Sequence, residues 1–264
     1  MDPAEIWRSL PVITRGYVSL CVVTTAACAL EVITSFNIYF NSRLIWQKHE
    51  YWRLFTNFFY FGSLGLDFFF HMFFLVKYSK SLEEGSFRSR PADFLWMLLF
   101  GASILVAAAH WVNIHFLGPS LTFMMVYVWG RRHQYVNLSF LGIFTFTAPY
   151  LPWVLLAFSV MLGSSPLMDL LGMVAGHAYY FLEDVYPRMT NRRLLRTPAI
   201  VRALFPAEGV QAPRMAAAPP LFAAGGLGGG PPAQAAAEAP VAQQEQQPGA
   251  AVVAGDAGQR PHDD

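Results

Sequence analysis

Apolar residues in this chain run in long blocks and do not alternate with polar ones. No Asp, Glu, Lys or Arg occurs from residue 94 to 130, and none from 134 to 168. Uncharged apolar runs of about 18 residues or more are long enough to cross a bilayer as helices. The pattern predicts six spans, at 17–38, 54–76, 94–112, 116–129, 138–162 and 167–182. The second contains Asp67 and His71, and the fifth is interrupted by Pro149 and Pro152. The fourth is short: its 14 residues cover about 21 Å, against roughly 30 Å of hydrocarbon. A span of that length either thins the bilayer locally or is sheltered by its neighbours.

Charge then orients the spans, because cytoplasmic loops carry an excess of Lys and Arg. Arg8 and Arg15 precede the first span, and Lys77, Lys80, Arg88 and Arg90 follow the second. Arg131 and Arg132 follow the fourth, and Arg188, Arg192, Arg193, Arg196 and Arg202 follow the sixth. The loops around Asn113 and Ser164 have neither Lys nor Arg; only the loop after the first span breaks the alternation, with Arg43, Lys48 and Arg53. Both termini are expected in the cytoplasm.

Composition agrees with this reading. Hydrophobic residues make up 55% and charged residues 13%, about half the usual charged share of a soluble domain. The net charge of +1 is uninformative about partners, and nothing indicates nucleic-acid binding. Residues 1–16 are polar and contain Pro11, unlike a cleavable leader, so the first span is expected to serve as its own targeting signal. Cys21 and Cys28, seven apart on one helix face, read as small core residues. From about residue 207 the chain is rich in Ala, Gly, Pro and Gln, a composition too poor in large apolar groups to offset ordering entropy. The expected organisation is a cytoplasmic N-terminal segment at 1–16, a membrane domain at 17–186, a basic cytoplasmic juxtamembrane segment at 187–206, and a disordered cytoplasmic tail at 207–264.

Candidate chemistry lies in "LMDLLGMVAGHAYYFL", residues 167–182. Gly172 and Gly176 share one helix face and allow close helix–helix approach, expected against span four. Asp169 lies near the non-cytoplasmic end. Asp67 and His71 are one turn apart; ionisable groups inside a membrane are functional candidates, with a mutual hydrogen-bonded pair as the structural alternative. No metal-ligand spacing and no glycine-rich phosphate loop occurs, so neither metal nor cofactor is expected.

The loop "NSRLIWQKHEYWRLFTNFFYFG", residues 41–62, is aromatic and amphipathic, as an interfacial segment would be. Its Trp52-Arg53 pair resembles the first loop of the rhomboid superfamily. Within that superfamily, "SKSLEEGSFRSRPADFLWMLLFG" and "LTFMMVYVWGRR" are similar to the Derlin family, and with the six spans the resemblance covers about residues 1–205. It implies an all-α polytopic membrane protein, a rhomboid-like bundle of six transmembrane helices followed by the disordered tail. Trp52 and Arg53 would lie in a substrate- or lipid-interacting first loop.

Active rhomboid proteases resemble this pattern but place a Gly-x-Ser-Gly motif at the start of span four, a histidine three residues before the GxxxG of span six, and a His-x-x-x-Asn pair in span two. Here Gly118 and Ser120 match, Leu121 replaces the second glycine, Asp169 stands where the histidine is expected, and Asp67 and His71 occupy the span-two positions. A serine needs an adjacent base, and a carboxylate is a far weaker base than imidazole. His177 lies eight residues past Asp169, about 12 Å along the helix and about 80° around it, and cannot substitute.

The resemblance therefore implies a pseudoprotease of the endoplasmic reticulum membrane, acting in retro-translocation of misfolded lumenal or membrane proteins for proteasomal degradation and in the unfolded protein response. Implied partners are misfolded proteins, a membrane ubiquitin ligase complex, the lipid bilayer and a cytosolic AAA ATPase of the valosin-containing class, with homo- or hetero-oligomerisation left open. Family tails resemble Phe-x-Gly-x-Gly; here "LFAAGGLGGG", with Phe222, Gly225 and Leu227, is a loose counterpart without the expected arginine. An active intramembrane serine protease and a small polytopic transporter are the rival readings. The protease lacks its histidine, and the transporter lacks internal repeats.

Overall fold

A computed structural model of the chain describes residues 3–140 and 144–205. It is mostly helical. A short helix α1 (Pro3–Arg8) leads into α2 (Val12–Ala29), which begins directly after Pro11. The start of α2 is held from outside. Glu83 accepts hydrogen bonds from the backbone amides of Ile13 (3.0 Å) and Thr14 (2.8 Å) and from the Thr14 hydroxyl (2.7 Å), which also meets Ser79 Oγ at 2.8 Å. A carboxylate is thus placed on the unsatisfied amides and positive dipole end of a helix. Glu83 is buried and lies in a single π-helical turn, Leu82–Ser86.

The first helix ends nine residues earlier than hydropathy suggests. Glu31 adopts a left-handed conformation (φ 58°), followed by the β-branched Val32, Ile33 and Thr34. The next stretch forms three short helices, α3 (Ser35–Ile38), α4 (Ser42–Lys48) and α5 (Arg53–Thr56). Asn41 caps α4 by accepting from the amides of Arg43 and Leu44, and His49 (φ 59°) closes it.

The second long helix, α6 (Leu66–Ser81), starts twelve residues later than the expected span. Gly62 (φ 95°) and the extended Gly65 intervene, and the Asn57 amide turns back onto the carbonyls of Arg53 and Leu54. Next come α7 (Pro91–Val112) and α8 (Gly118–Arg132), both opened by proline in the first turn.

The expectation of an all-α fold and of a helix from 138 is corrected here. Asn137–Phe140 (β1) and Phe144–Thr147 (β2) pair antiparallel, with Leu138 opposite Phe146 and Asn137 opposite Thr147. The run "FTFT" alternates apolar and β-branched residues with period two, the strand pattern and not the helical one. The fifth helix, α9 (Leu151–Met161), begins only after a turn through Pro149. Gly163 (φ 86°) separates it from α10 (Pro166–Tyr180). A second π-helical turn, Phe181–Val185, leads to α11 (Tyr186–Thr190) and α12 (Ala199–Ala203). Among the described residues, α2 and α7 are long and apolar enough to cross a membrane on length and composition.

The core is built on α8. Every residue of α8 is buried except Tyr127, Arg131 and Arg132, and the helix packs against α6, α7, α9 and, most extensively, α10. At Gly172 an added Cβ would collide with the Ser120 carbonyl oxygen, and at Gly176 it would lie 3.0 Å from the Met124 carbonyl and 2.9 Å from Tyr127 Cβ. The two helices therefore meet backbone to backbone. Cys21 and Cys28 are both free thiols, and Cys21 is buried in the core.

Two predictions follow from this packing. Gly172→Ala should lower the stability of the detergent-purified protein by about 1–3 kcal/mol, the cost of overpacking, while Gly16→Ala, where a Cβ meets nothing within 4 Å, should leave the melting curve unchanged. Glu83→Ala should cost about 1–3 kcal/mol by orphaning the buried amides at the start of α2, seen as faster hydrogen exchange at Thr14 than in the wild type.

Candidate functional site

Arg53 and Trp52, adjacent in sequence, face different surroundings. Arg53 is buried. Its Nε donates to Glu50 Oε2 at 2.5 Å, and an Nη group donates to the carbonyls of Phe36 (2.8 Å) and Tyr39 (3.1 Å). The guanidinium carbon lies 4.9 Å from the Tyr39 ring centre. A planar fork of five donors suits this gathering of carbonyls and a carboxylate around one point. Its Nε and one Nη group are engaged inside the 35–57 segment, which they staple together. Trp52 is exposed, as are Trp46, Tyr51 and Phe55, and these carry the segment's apolar surface.

The positions that resemble a protease site lie on α8 and α10. Gly118 opens α8 against the Phe58 carbonyl. Ser120 is fully buried, and its hydroxyl has no hydrogen-bond partner. Leu121, also buried, packs toward Gly101 of α7. His177 is engaged elsewhere, with Nδ1 2.7 Å from the Tyr127 hydroxyl. Asp169, one turn before Gly172, is 2% exposed, and its Oδ2 is unpartnered.

A polar group forms where α6 and α9 pack on α8. His71 Nδ1 lies 2.9 Å from the Asp67 carbonyl oxygen and 3.3 Å from its carboxylate, and Ser164 Oγ donates to the same carboxylate at 3.3 Å. Asp67 is half-exposed and His71 largely buried. They line a narrow pocket with Thr122, Phe123, Leu155 and Ser159. The structure thus brings Ser159 of α9 into one pocket with Asp67 and His71 of α6, while Asp169 of α10 does not line it.

Ser159 was not singled out by the sequence reading. The signal was available: Leu151, Leu155 and Ser159 recur at spacing four and are all buried, so a serine occupies the inward face of an otherwise apolar helix. Among the described residues, no three His, Cys, Asp or Glu side chains are placed to hold a metal ion. Phe222, Gly225 and Leu227 lie outside the described residues.

On the segments after α8 and α10, Arg132 pairs with Asp184 (3.0 Å). Burial, with Asp184 beside it, raises the Glu183 carboxyl above the usual range.

A helical bundle with a buried serine whose hydroxyl has no hydrogen-bond partner and glycines at the α8–α10 contact defines a class, and sequence comparison assigns the family. The family model of Der1-like proteins matches residues 10–199. The chain is similar to Derlin-2.2 of Arabidopsis thaliana, 54% identical over 81% of this chain and 95% of the relative. It is 55% identical to Derlin-2.1 of Zea mays over 78% and 87%, respectively. It is 47% identical to a probable derlin-2 homologue of Dictyostelium discoideum over 77% and 83%. The chain belongs to the Der1-like, or Derlin, family of membrane proteins.

The stapled segment yields a prediction. Arg53→Lys keeps the charge but cannot span Glu50 and two carbonyls. It should cost about 1.5–3 kcal/mol, the range for hydrogen bonds to charged groups. Limited proteolysis in detergent should then cut within 35–57 almost as readily as in Arg53→Ala.

Proposed function

We propose that this chain acts in the endoplasmic reticulum membrane as a six-span Derlin that passes misfolded lumenal or membrane proteins toward the cytosol for proteasomal degradation, without cleaving them. The observation that carries this reading is an isolated Ser120 hydroxyl beside a pocket of the bundle lined by Asp67, His71 and Ser159. The first cannot act as a nucleophile without a base. The second is a pocket with polar groups in its wall, suited to binding.

In this reading α2, α6, α7, α8, α9 and α10 are the six spans, with both termini cytoplasmic. The shorter ones are 16, 15, 11 and 15 residues long, or about 24, 22, 16 and 22 Å. A bilayer of roughly 30 Å would have to thin around them, which lowers the barrier to a polar chain. The exposed aromatic surface of the 35–57 segment would lie at the headgroups. A membrane ubiquitin ligase complex would mark the emerging client, and a valosin-containing AAA ATPase would supply force.

The test is the half-life of a misfolded lumenal reporter in cells lacking their own Derlins. Wild type and Ser120→Ala should restore rapid loss equally, and no reporter fragment should accumulate in either. A fragment that disappears with Ser120→Ala would overturn the reading in favour of a protease. Unchanged turnover with every variant would overturn the role in degradation.

A further inference from the structure

A second cavity opens between α3 and the turn that joins α7 to α8. Its volume is about 310 Å³, and it is lined by Ser35, Phe36, Tyr39, His115 and Phe116. Small-molecule sites run from about 300 Å³ upward, so there is room for a guest. The wall is a row of rings. Phe36 and Tyr39 stand edge to face at 87° with 6.4 Å between ring centres, and Tyr39 lies 5.5 Å from His115. Among the described residues, no Asp, Glu, Lys or Arg lines the cavity.

Neighbours hold these rings in place. Arg53 stacks on Tyr39, with its guanidinium carbon 4.9 Å from the ring centre, and Tyr60 lies 4.7 Å from Phe116. The Phe40 amide donates to the His115 carbonyl at 2.8 Å, which ties the two sides of the cavity together. A site fixed before its guest arrives loses less freedom on binding. Phe36 is 77% exposed, so the cavity is reached from outside.

The chemistry of the wall selects the guest. Aromatic faces attract cations, and rings grouped around one space suit quaternary ammonium groups above all. A primary ammonium carries three N–H donors that need acceptors, and no carboxylate lines the cavity to take them. A trimethylammonium has no N–H to satisfy. Arg53, stacked on Tyr39, would repel a bare cation, and a phosphate attached to the guest offsets that charge. Ser35 and His115, in the same wall, are able to donate hydrogen bonds to the phosphate oxygens.

We infer that this cavity binds the phosphocholine headgroup of a phosphatidylcholine molecule, with the trimethylammonium against Phe36, Tyr39 and Phe116. The choice of a lipid over soluble phosphocholine rests on the proposed placement of the 35–57 segment at the headgroups, while the site itself is tested independently of degradation. Exposed Trp52, whose Nε1 donates to the Asn37 carbonyl of α3 at 3.3 Å, supplies apolar surface for the lipid's chains. A bound headgroup fastens this segment to the membrane surface that a client must cross.

The experiment reconstitutes the full chain in vesicles of phosphatidylcholine and phosphatidylethanolamine, in equal amounts and with matched acyl chains. The protein is released in mild detergent, and its retained lipids are weighed by native mass spectrometry. Phosphatidylcholine should exceed phosphatidylethanolamine about tenfold, the ratio given by roughly 1.4 kcal/mol of selectivity. Phe36→Leu keeps an apolar side chain without a π face and should bring that ratio close to one, while Phe36→Trp should preserve it. Both variants should melt with the wild type, because Phe36 is exposed.

Equal retention of the two lipids by the wild type would overturn the inference in favour of an acyl chain or an unselective lipid shell. Persistence of the preference in Phe36→Leu would overturn it too. Binding of free phosphocholine by the purified chain, with no lipid selectively retained, would overturn the lipid as guest. Selective retention by a protein that fails to restore loss of the misfolded reporter would support the site and overturn the degradation role.

Discussion

Most of this structure depends on one contact, the backbone approach of α10 to α8. Lipid gives two apolar helices little reason to associate, so helices in membranes hold together by packing and interhelical polar contact. Gly172 and Gly176 remove the side chains that would keep α10 from the Ser120 and Met124 carbonyls. That approach makes α8 the buried axis around which α6, α7 and α9 are arranged. It also buries Asp169, which lies one turn before Gly172 and is 2% exposed.

Two buried charged residues close the structure where its helices are short. Glu83 takes up amides at the start of α2, and Arg53 takes up carbonyls left open by α3 and the turn that follows it. The division is chemical: a carboxylate accepts only, and a guanidinium donates only. Each is matched to the backbone group that the chain leaves unpaired at its position. These residues allow irregular backbone to sit against the bundle, since unpaired polar groups there would otherwise face an apolar medium.

The charge-free windows of the sequence made the apolar, mostly helical character of the chain visible. Helix starts were less visible, because hydropathy does not separate a helix from an aromatic segment that packs as short turns. Residues 54–65 are as apolar as a span, yet Asn57, Gly62 and Gly65 break them into turns. The hairpin at 137–147 was legible in its period-two "FTFT" but was absorbed into a long apolar run. Asp67, His71 and Asp169 stood out singly as charges in apolar surroundings. The pocket that joins Asp67 and His71 to Ser159 did not, because it is set by how α6 and α9 pack on α8. Glu83 was not legible in the sequence, since nothing local marks a carboxylate that caps a helix about seventy residues away.

The exchange of a histidine for Asp169 changes what the bundle can do. An imidazole beside a serine can take a proton and return it, so the pair makes and breaks bonds. A carboxylate in that place holds negative charge and accepts hydrogen bonds, and it attracts cations. Leu121 points the same way: a large side chain packed toward α7 fills the turn where a second glycine would let a substrate backbone approach Ser120. The pocket between α6, α8 and α9 is lined by Asp67 and Ser159 and does not include the serine of α8.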